Sequence, residues 1–434
     1  MKKVLALLVA AVLSVTLVVS LVACNDKGNG NTLEKVYENV IANGDPTQAT
    51  GYVEGTNKDI KVALITLHDE NSTYDKNFID AFKAAIAAKG LTEANYAITT
   101  ADEKAECYDK AAKFARDGYT AVFADSFGHE SFIMQAAEEF PDVQFYHATG
   151  THAHTEKDLP NFHNAFASIY EGRYVAGVAA GLKLQSMYET GALTTKNFKV
   201  GYVGAWPYAE VISGYTSWFL GVKSVIDTIE GATLNMEVRY TNSWYDETAE
   251  RTTAQALIDM GCQLISQHAD SMGAPTACET AGIPNVSYNG STEANCPNTF
   301  IISSRINWQP YFELMLNAAM GGSAVPNEWT GTFASGSVEL TALGATAPAA
   351  GTQQKLEAVI AQLEAGTLKV FDCSKFTVGG KKLTSYTADV DDAGDFKGET
   401  EVVKTEGGVT YFAESYYRSA PYFDVIIDGI NAVK

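Results

Sequence analysis

The sequence predicts an α/β protein built from two doubly wound parallel-sheet lobes that are joined by a hinge. Apolar runs of strand length alternate with segments of helical periodicity, which is typical of parallel sheets covered by helices. This alternation occurs twice along the chain. The chain has 434 residues, about two to three times the length of a typical domain, which leaves room for both lobes.

The first lobe is predicted to cover residues 60–195. It begins with Lys61-Val-Ala-Leu-Ile-Thr-Leu67, a continuous apolar run typical of a strand that is buried on both faces. Apolar residues from Phe78 to Ile86 then recur at helical spacing, and Gly90 is the residue type favoured just past a helix end. The next predicted elements are a strand at 96–99, a helix near 104–117, a strand at 121–124, a helix near 130–140 and a strand at 143–147.

The second lobe is predicted to cover residues 196–304 and repeats the same order of elements. It opens with the strand Lys199-Val-Gly-Tyr-Val-Gly204. The elements that follow are a long helix near 209–229, a strand at 234–240, a helix near 247–260, a strand at 263–267, a short helix after 273 and a strand at 285–288. Residues 305–325, with a helix over 310–320, are predicted to cross back to the first lobe. Parts of 326–434 are assigned to the second lobe.

The amino-terminal segment has the pattern of an export signal. Lys2 and Lys3 precede an apolar run that ends at Cys24, so residues 1–23 are predicted to be a signal peptide. Leu21-Val-Ala-Cys24 resembles the bacterial lipobox, in which the cysteine carries a lipid and becomes the first residue of the mature chain. Residues 24–59 are predicted to be a lipidated tether with one short helix, Leu33 to Ile41, holding the protein on the extracytoplasmic face of the cell membrane. An uncleaved membrane anchor is the alternative.

Charge and cysteine content exclude several function classes. The 52 acidic and 31 basic side chains give a net charge of −21, which repels phosphate backbones and argues against nucleic acid as a partner. The six cysteines form no CxxC pair, which removes the common zinc and thioredoxin-like motifs. Five cysteines remain after Cys24, an odd number that cannot all pair within one chain. The disulfide pairing stays open.

The ligand site is predicted at the carboxyl ends of the strands, where open α/β sheets bind their ligands. The loops that follow the predicted strands are rich in aromatic side chains, together with carboxylates and amides. These aromatic residues are Tyr74, Phe127, Trp206, Tyr208 and Trp244. Aromatic faces combined with a few polar groups suit a flat, neutral ligand that forms hydrogen bonds. Packing of the same rings at the lobe interface is the alternative interpretation.

Several ordered blocks of sequence occur between about Lys61 and Asp428. They are His68-Asp-Glu-Asn-Ser-Thr-Tyr-Asp75, Asp125-Ser-Phe-Gly-His-Glu130, Phe140-Pro-Asp-Val-Gln-Phe145, His147-Ala-Thr-Gly150, Tyr170-Glu-Gly-Arg-Tyr-Val-Ala-Gly177, Tyr208-Ala-Glu-Val211, Gly221-Val222, Asn242-Ser-Trp-Tyr-Asp246 and Arg418-Ser-Ala-Pro-Tyr-Phe-Asp424. Together these blocks resemble the basic membrane protein family, the substrate-binding lipoproteins of ABC importers that include purine nucleoside receptors.

The resemblance implies a type I periplasmic-binding-protein fold, in which two lobes close on the ligand about a hinge. It also implies that a purine base is stacked between one aromatic ring from each lobe. Tyr74, with Phe78 as a rival, matches the first ring, and Trp206 and Trp218 match the second. The matched positions for polar contacts are Asp75, Asn77, Ser126, Asp270 and Asn289, and His147 belongs to one of the matched blocks.

One position departs from the family pattern. Nucleoside binders usually have an aspartate near the position of Ser291, where its carboxylate holds the ribose hydroxyls. Serine loses that charge, so the preference for a nucleoside over its free base is expected to stay within about tenfold unless Asn289 or Glu293 compensates.

The sequence thus predicts a receptor that delivers a small aromatic nutrient, a purine nucleoside or base, to an ABC permease powered by a separate ATPase. No catalysis and no cofactor are predicted. Three alternatives stay open: a surface enzyme that acts on nucleosides, a sugar receptor, and a metal receptor on the same fold. The metal alternative rests on four close histidines, His147, His152, His154 and His163.

Overall fold

The computed structural model describes residues 51–153, 159–390 and 398–433, all within one compact unit. The predicted signal peptide, Cys24 and the predicted helix of the tether lie outside the described residues. Across the described part of the chain, no helix has the combination of length and apolar character that crossing a bilayer requires.

The described chain alternates strands and helices through most of its length. The strands are β1 (Val62–Thr66), β2 (Tyr96–Thr100), β3 (Ala121–Ala124), β4 (Gln144–Ala148), β5 (Phe162–Ala167), β6 (Asn197–Gly204), β7 (Thr233–Tyr240), β8 (Ile265–Gln267), β9 (Asn285–Tyr288), β10 (Phe300–Ile306), β11 (Glu328–Gly331), β12 (Val338–Leu340), β13 (Thr387–Ala388), β14 (Thr400–Glu401), β15 (Val403–Glu406), β16 (Val409–Phe412) and β17 (Ile430–Val433). The α-helices are α1 (Thr73–Ala88), α2 (Ala105–Arg116), α3 (Glu130–Glu139), α4 (Ile169–Glu189), α5 (Ala209–Ile226), α6 (Glu247–Asp259), α7 (Gly273–Ala281), α8 (Gln309–Ala319) and α9 (Thr352–Glu364). Short 3₁₀ turns lie at Glu93–Asn95 and Phe127–His129.

Two large sheets organise the described residues. The first sheet has the strand order β11-β5-β4-β3-β1-β2, and all its strand pairs are parallel. The second sheet has the order β12-β10-β9-β8-β6-β7-β17 and is parallel except for the pair of β12 with β10. In each sheet the order reverses beside its first strand, as in doubly wound folds. The predicted fold class is confirmed.

Both faces of each sheet are covered by apolar side chains. In β1, Val62 and Leu64 join one buried cluster, whereas Ala63 and Ile65 join another on the opposite face. Alternate residues of a strand point to opposite faces, so a strand buried on both sides must be apolar throughout. This requirement explains the continuous apolar run that predicted β1. In the second sheet, Val203 likewise faces a cluster separate from that of its neighbour Tyr202.

Helix α4 follows β5 of the first sheet but packs into the main cluster of the second sheet, where it lies against α5. The two helices approach closely at Gly177 and Gly221, whose Cα atoms lie near each other. A Cβ added to Gly177 would meet the Trp218 carbonyl oxygen at 2.1 Å. A Cβ added to Gly221 would meet the Tyr174 carbonyl oxygen at the same distance. Both positions therefore require glycine.

The predicted boundaries of the two lobes stay a prediction.

Helix α8 lies against α1 beside the first sheet, where Phe312 packs edge-to-face on Phe82 at 5.1 Å. The carboxyl-terminal part contributes β17 as an edge strand of the second sheet. It also forms the antiparallel pairs β13–β14 and β15–β16.

The described cysteines are buried and carry free thiols in this structure. They are Cys107, Cys262, Cys278, Cys296 and Cys373.

Candidate functional site

The carboxyl ends of the strands in both sheets face a common cleft, which contains about 370 Å³ of empty space, part of it open to solvent. The lining residues come from both sheets and their connections. They are Leu67, His68, Tyr74, Asp75, Ser126, Phe127, Thr149, Glu210, Trp244, His268, Asp270 and Tyr288. The position agrees with the general rule for ligand sites in open α/β sheets.

Direct contacts hold the two sides of the cleft together. At the amino-terminal end of α1, the backbone N–H and hydroxyl of Thr73 donate to the Asp270 carbonyl oxygen at 3.1 and 3.0 Å. Across the mouth, the rings of Phe127 and Tyr208 lie 5.6 Å apart. The structure therefore shows a closed cleft.

Backbone strain marks the same edge of the sheets. Thr149 follows β4 and has a φ of 64°, in the left-handed region that a β-branched residue rarely adopts. Asn242 and Asn289, which follow the ends of β7 and β9, have φ values of 56° and 64°. A strained backbone conformation persists only where surrounding contacts hold it in place, and such residues cluster at ligand sites.

Two buried carboxyl groups meet on the first-sheet side. The Oδ1 atom of Asp75 accepts from the His68 backbone N–H at 2.8 Å, and the Oδ1 atom of Asp125 accepts from the Leu67 backbone N–H at 3.1 Å. Burial, followed by the neighbouring Asp75 carboxylate, raises the pKa of Asp125 well above its usual value. Asp125 is therefore favoured in its neutral form. The hydrogen bond to Asp75 raises the pKa of His68.

Asp270 is the buried carboxyl group on the second-sheet side. Its Oδ1 atom accepts from the side-chain amide of Asn289 at 3.4 Å, and its backbone N–H donates to the Trp244 carbonyl oxygen at 3.0 Å. Burial, then the nearby carboxylates of Asp75, Glu250 and Glu210, raise the pKa of Asp270 well above its usual value. A neutral carboxyl group can both donate to and accept from a ligand.

A buried chain of polar groups connects α4 to the cleft. Arg173 donates to the Gln267 carbonyl oxygen at 2.8 Å and to Nδ1 of His268 at 3.0 Å. Arginine has no acceptor, so Nδ1 of His268 must accept and Nε2 must carry the proton. Nε2 then donates to Oε1 of Glu210 at 3.3 Å. Burial, and then the charge of Arg173, lower the pKa of His268 to about 4, so this histidine is neutral at pH 7.

Aromatic rings form two walls of the cleft. The Tyr74 hydroxyl donates to the Asp125 carbonyl oxygen at 2.7 Å, which fixes the ring beside the buried carboxyl groups. Trp244 lies on the other side, with Tyr208 at a ring distance of 6.1 Å. Phe127 and Tyr208 are 43% and 42% exposed and form the rim.

The structure brings six of the predicted site residues to the cleft and places the others elsewhere. Those that line it are Tyr74, Asp75, Ser126, Phe127, Trp244 and Asp270. Tyr208 lies at the rim, with Trp206 stacked on its ring at 5.8 Å. Asn289 does not line the cleft, but its side-chain amide donates to Oδ1 of the lining residue Asp270.

The remaining three predicted residues do not line the cleft. Their side chains form hydrogen bonds with backbone carbonyl groups or pack in the core. The side-chain amide of Asn77 donates to the Ile306 carbonyl oxygen. Nε2 of His147 donates to the Ser126 carbonyl oxygen at 2.7 Å, and burial lowers the pKa of His147. Trp218 is 0% exposed in the core against α4, because it lies on the buried side of α5. The rival ring of Phe78 is likewise buried, stacked on Trp308 at 4.4 Å.

The close histidines have ordinary hydrogen-bond partners. Oε1 of Glu130 accepts from the backbone N–H groups of Thr151 and His152 at 2.7 and 3.0 Å, and Nδ1 of His152 lies 2.7 Å from Oε2. Burial opposes ionisation of Glu130, but the bond from His152 and the nearby histidines lower its pKa to about 2. His163 bonds to the Pro326 carbonyl oxygen and the Gln144 side chain. Among residues 51–153, 159–390 and 398–433, no group of three or more potential ligands could hold a metal ion. His154 lies outside the described residues.

Several lining residues were not predicted individually. They are Leu67, His68, Thr149, Glu210, His268 and Tyr288, and Arg173 supports the site from α4. All except Leu67, Tyr288 and Arg173 occur in the loops that the strand-end rule selects, so position was the available signal. The choice within each loop favoured aromatic, aspartate and amide side chains, and it omitted His68, His268 and Glu210.

The sequence of this chain is similar to those of known substrate-binding proteins. Residues 63–363 match the sequence profile of the Bmp family, described as PnrA-like substrate-binding proteins of ABC transporters. A purine-binding protein of Brucella abortus is 33% identical over 230 residues, which are 53% of this chain and 60% of that protein. A Haloferax volcanii protein provisionally named as an ABC transporter glucose-binding protein is 31% identical over 211 residues, 49% of each chain. The chain thus spans 49% to 60% of the length of these two relatives.

The fold is also found in solved structures. A solute-binding protein of an ABC transporter system from Aeropyrum pernix superposes with a TM-score of 0.60 at 15% identity, covering 72% of this chain and 93% of that one. At this identity the likeness concerns the fold alone, and it confirms the predicted type I periplasmic-binding-protein architecture. Since the family profile covers more than half of the sequence, the chain belongs to the Bmp family of PnrA-like substrate-binding proteins of ABC transporters, a family of binding proteins rather than enzymes.

Proposed function

We propose that the protein captures a purine nucleoside or base in the cleft outside the cytoplasmic membrane and delivers it to the permease of an ABC importer. The observation that carries the proposal is the convergence of Tyr74 and Trp244 with the carboxyl groups of Asp75 and Asp270. Aromatic faces can enclose a planar ring, and carboxyl groups can form hydrogen bonds with its nitrogen and oxygen atoms. The purine-binding name of the Brucella abortus relative supports the same ligand class.

A sugar is the second candidate ligand, because the Haloferax volcanii relative carries a glucose-binding name. Carboxyl groups accept from sugar hydroxyls as well as from purines. The purine is preferred because two aromatic rings from opposite sides line one cleft.

Calorimetric titration with inosine, hypoxanthine, guanosine, guanine and glucose tests this choice. Purines are expected to bind and glucose is not. Ser291 is exposed, and its hydroxyl accepts from the Glu293 backbone N–H at 3.3 Å, so it does not line the cleft. The nucleoside is therefore expected to bind within about tenfold of its free base. Binding of glucose alone would overturn the purine proposal.

Replacing Tyr74 or Trp244 with alanine is expected to weaken purine binding by about tenfold to a hundredfold. Stacking of a base on an aromatic ring contributes about 1–3 kcal/mol in other proteins. Titration of each variant measures the loss, and a melting curve shows whether the variant is folded. Trp206→Ala is the matched control, because this tryptophan stacks on Tyr208 and does not line the cleft. A larger loss in the control than in both variants would contradict the assignment.

Membrane attachment through Cys24 belongs to the same proposal. The lipobox-like segment Leu21 to Cys24 supports it, because the small residue Ala23 directly precedes the cysteine and a polar segment follows. The Cys24→Ala variant is expected to lose the lipid and to leave the detergent phase in a detergent partition experiment, or to remain as an unprocessed precursor. Normal processing and unchanged partitioning of the variant would exclude lipid attachment at this residue.

A further inference from the structure

A second cavity lies apart from the ligand cleft and shares none of its lining residues. It contains about 840 Å³ of empty space, part of it open to solvent. Its walls are the first turn of α4, the chain that follows α9, and the hairpin β15–β16 with the residues after it. Most of these residues lie beyond 363, where the match to the family profile ends. The cavity is therefore mainly built by the part of the chain that the family profile does not cover.

Aromatic rings and acidic side chains dominate this cavity. Tyr170, Phe371, Tyr411 and Phe412 contribute rings to its lining. The charged lining residues are Glu171, Lys369, Glu406 and Glu414, three carboxyl groups and one ammonium group. This composition favours a positively charged ligand with apolar parts.

Glu414 is the central feature of the cavity. Its side chain belongs to a residue that is only 6% exposed, and its Oε1 atom has no hydrogen-bond partner within the described part of the chain. Oε2 accepts weakly from the Tyr422 backbone N–H at 3.4 Å. A buried carboxyl oxygen without a donor is costly, so a ligand that supplies a donor here gains binding energy.

Glu171 faces the same cavity from α4. Its Oε2 atom accepts from the Ser168 hydroxyl at 3.0 Å. Burial raises the pKa of Glu171 to about 7 and that of Glu414 to about 8. The hydrogen bond from Ser168 and then the charge of Lys369 lower the pKa of Glu171. The Ser213 hydroxyl, the Tyr422 N–H and the charge of Arg418 lower that of Glu414, but burial outweighs these contributions. Both carboxyl groups are therefore partly protonated near neutral pH.

The cavity already accommodates one ammonium group on an aromatic ring. Nζ of Lys369 lies 4.6 Å from the centroid of the Tyr411 ring and 3.9 Å from Oε2 of Glu406. An ammonium group held over a ring in this way is attracted to the ring face, and the attraction grows as the group is desolvated. Lys369 therefore occupies Tyr411 and Glu406, which leaves Glu171 and Glu414 as the acidic lining groups available to a ligand.

We propose that this cavity is a second binding site, and that it takes a small organic cation whose ammonium group lies between Glu171 and Glu414. The apolar part of the cation packs on Tyr170 and Phe371, whose rings lie 5.3 Å apart. The site is separate from the purine cleft, so the two ligands bind to different surfaces.

Titration calorimetry with butylammonium and with spermidine as probes tests the site, because both carry N–H donors and apolar methylene groups, and acetate serves as the anionic control. At least one of the two cations is expected to bind, and acetate is not. Both carboxyl groups titrate near neutral pH, so binding of a cation is expected to release protons. Repeating the titration at pH 7.5 in buffers of different ionisation enthalpy measures that release. Absence of binding by both cations at millimolar concentration would overturn the proposal.

The variants Glu171→Gln and Glu414→Gln are expected to weaken cation binding at least tenfold and to abolish most of the proton release. Glu364→Gln is the matched control, because Glu364 is exposed at the end of α9 and does not line the cavity. A melting curve establishes that each variant is folded. Asp270→Ala, in the purine cleft, is expected to leave cation binding unchanged. Equal loss in Glu364→Gln would mean that the cations bind only to the general negative charge of the surface, which would also refute the site.

Discussion

Replacing Gly221 with alanine is expected to lower the free energy of unfolding by about 3 kcal/mol, the upper part of the usual range for overpacking. The added Cβ would lie 2.1 Å from the Tyr174 carbonyl oxygen, far inside van der Waals contact. The obstructing atom belongs to the backbone of α4, so no side-chain rotation can relieve the clash. The helices α4 and α5 must move apart, and the main cluster of the second sheet then loses contact area.

Urea denaturation of Gly221→Ala measures this loss. Gly177→Ala makes the reciprocal contact with the Trp218 carbonyl oxygen and is expected to cost a similar amount. The double variant is expected to cost less than the sum, because the helices need to separate only once. Lys223→Ala, at a partly exposed position on the same helix where the ammonium group pairs with Asp227, is the matched control and should lie within about 0.5 kcal/mol of the native protein. A loss below about 1 kcal/mol in both glycine variants would show that the helices adapt easily.

Most of the alternating elements were predictable because their patterns are local. The strand that begins near Lys61 is a continuous apolar run, and helix α2 alternates buried alanines with charged residues at helical spacing. Helix α4 was not predicted, because it is buried on nearly all sides and shows no polar stripe. Strand β5 was not predicted either. It contains the polar residues His163 and Asn164, which are not typical of a buried strand. Their side chains form hydrogen bonds inside the core with residues distant in sequence, so they can be buried.

The candidate site was predictable as a set of loops but not as a set of side chains. The strand-end rule depends only on topology, so it located the cleft before any contact was known. Which ring faces the cleft depends on the exact orientation of each helix and turn. Trp218 and Trp244 illustrate the difference: the first lies on the buried side of α5, and the second follows a strand and reaches the cleft. The hydrogen bonds from Arg173 to His268 and from His268 to Glu210 join residues that are distant in sequence, so no local sequence pattern predicts them.

Replacing Asp270 with alanine is expected to weaken purine binding by about five- to 150-fold, whereas Asp270→Asn is expected to stay within about threefold of the native affinity. Removing one partner of a buried hydrogen bond leaves the other unpaired, at a cost of about 1–3 kcal/mol. The raised pKa of Asp270 favours the neutral form of its carboxyl group, and asparagine is also neutral and offers both a donor and an acceptor. The acceptor for the Asn289 amide is retained as well.

Stability as a function of pH provides an independent check on the same charge state. Because the pKa of Asp270 is raised by folding, the folded protein binds this proton more tightly than the unfolded chain. The contribution of Asp270 to stability therefore falls as the pH rises from about 4, its unfolded pKa, towards the raised folded value. Asp270→Asn removes that penalty, so the variant should gain stability relative to the native protein between pH 4 and 7, measured by urea denaturation. A loss of affinity above tenfold in Asp270→Asn, together with no relative gain in stability, would show that Asp270 is ionised and holds the ligand through a charged hydrogen bond.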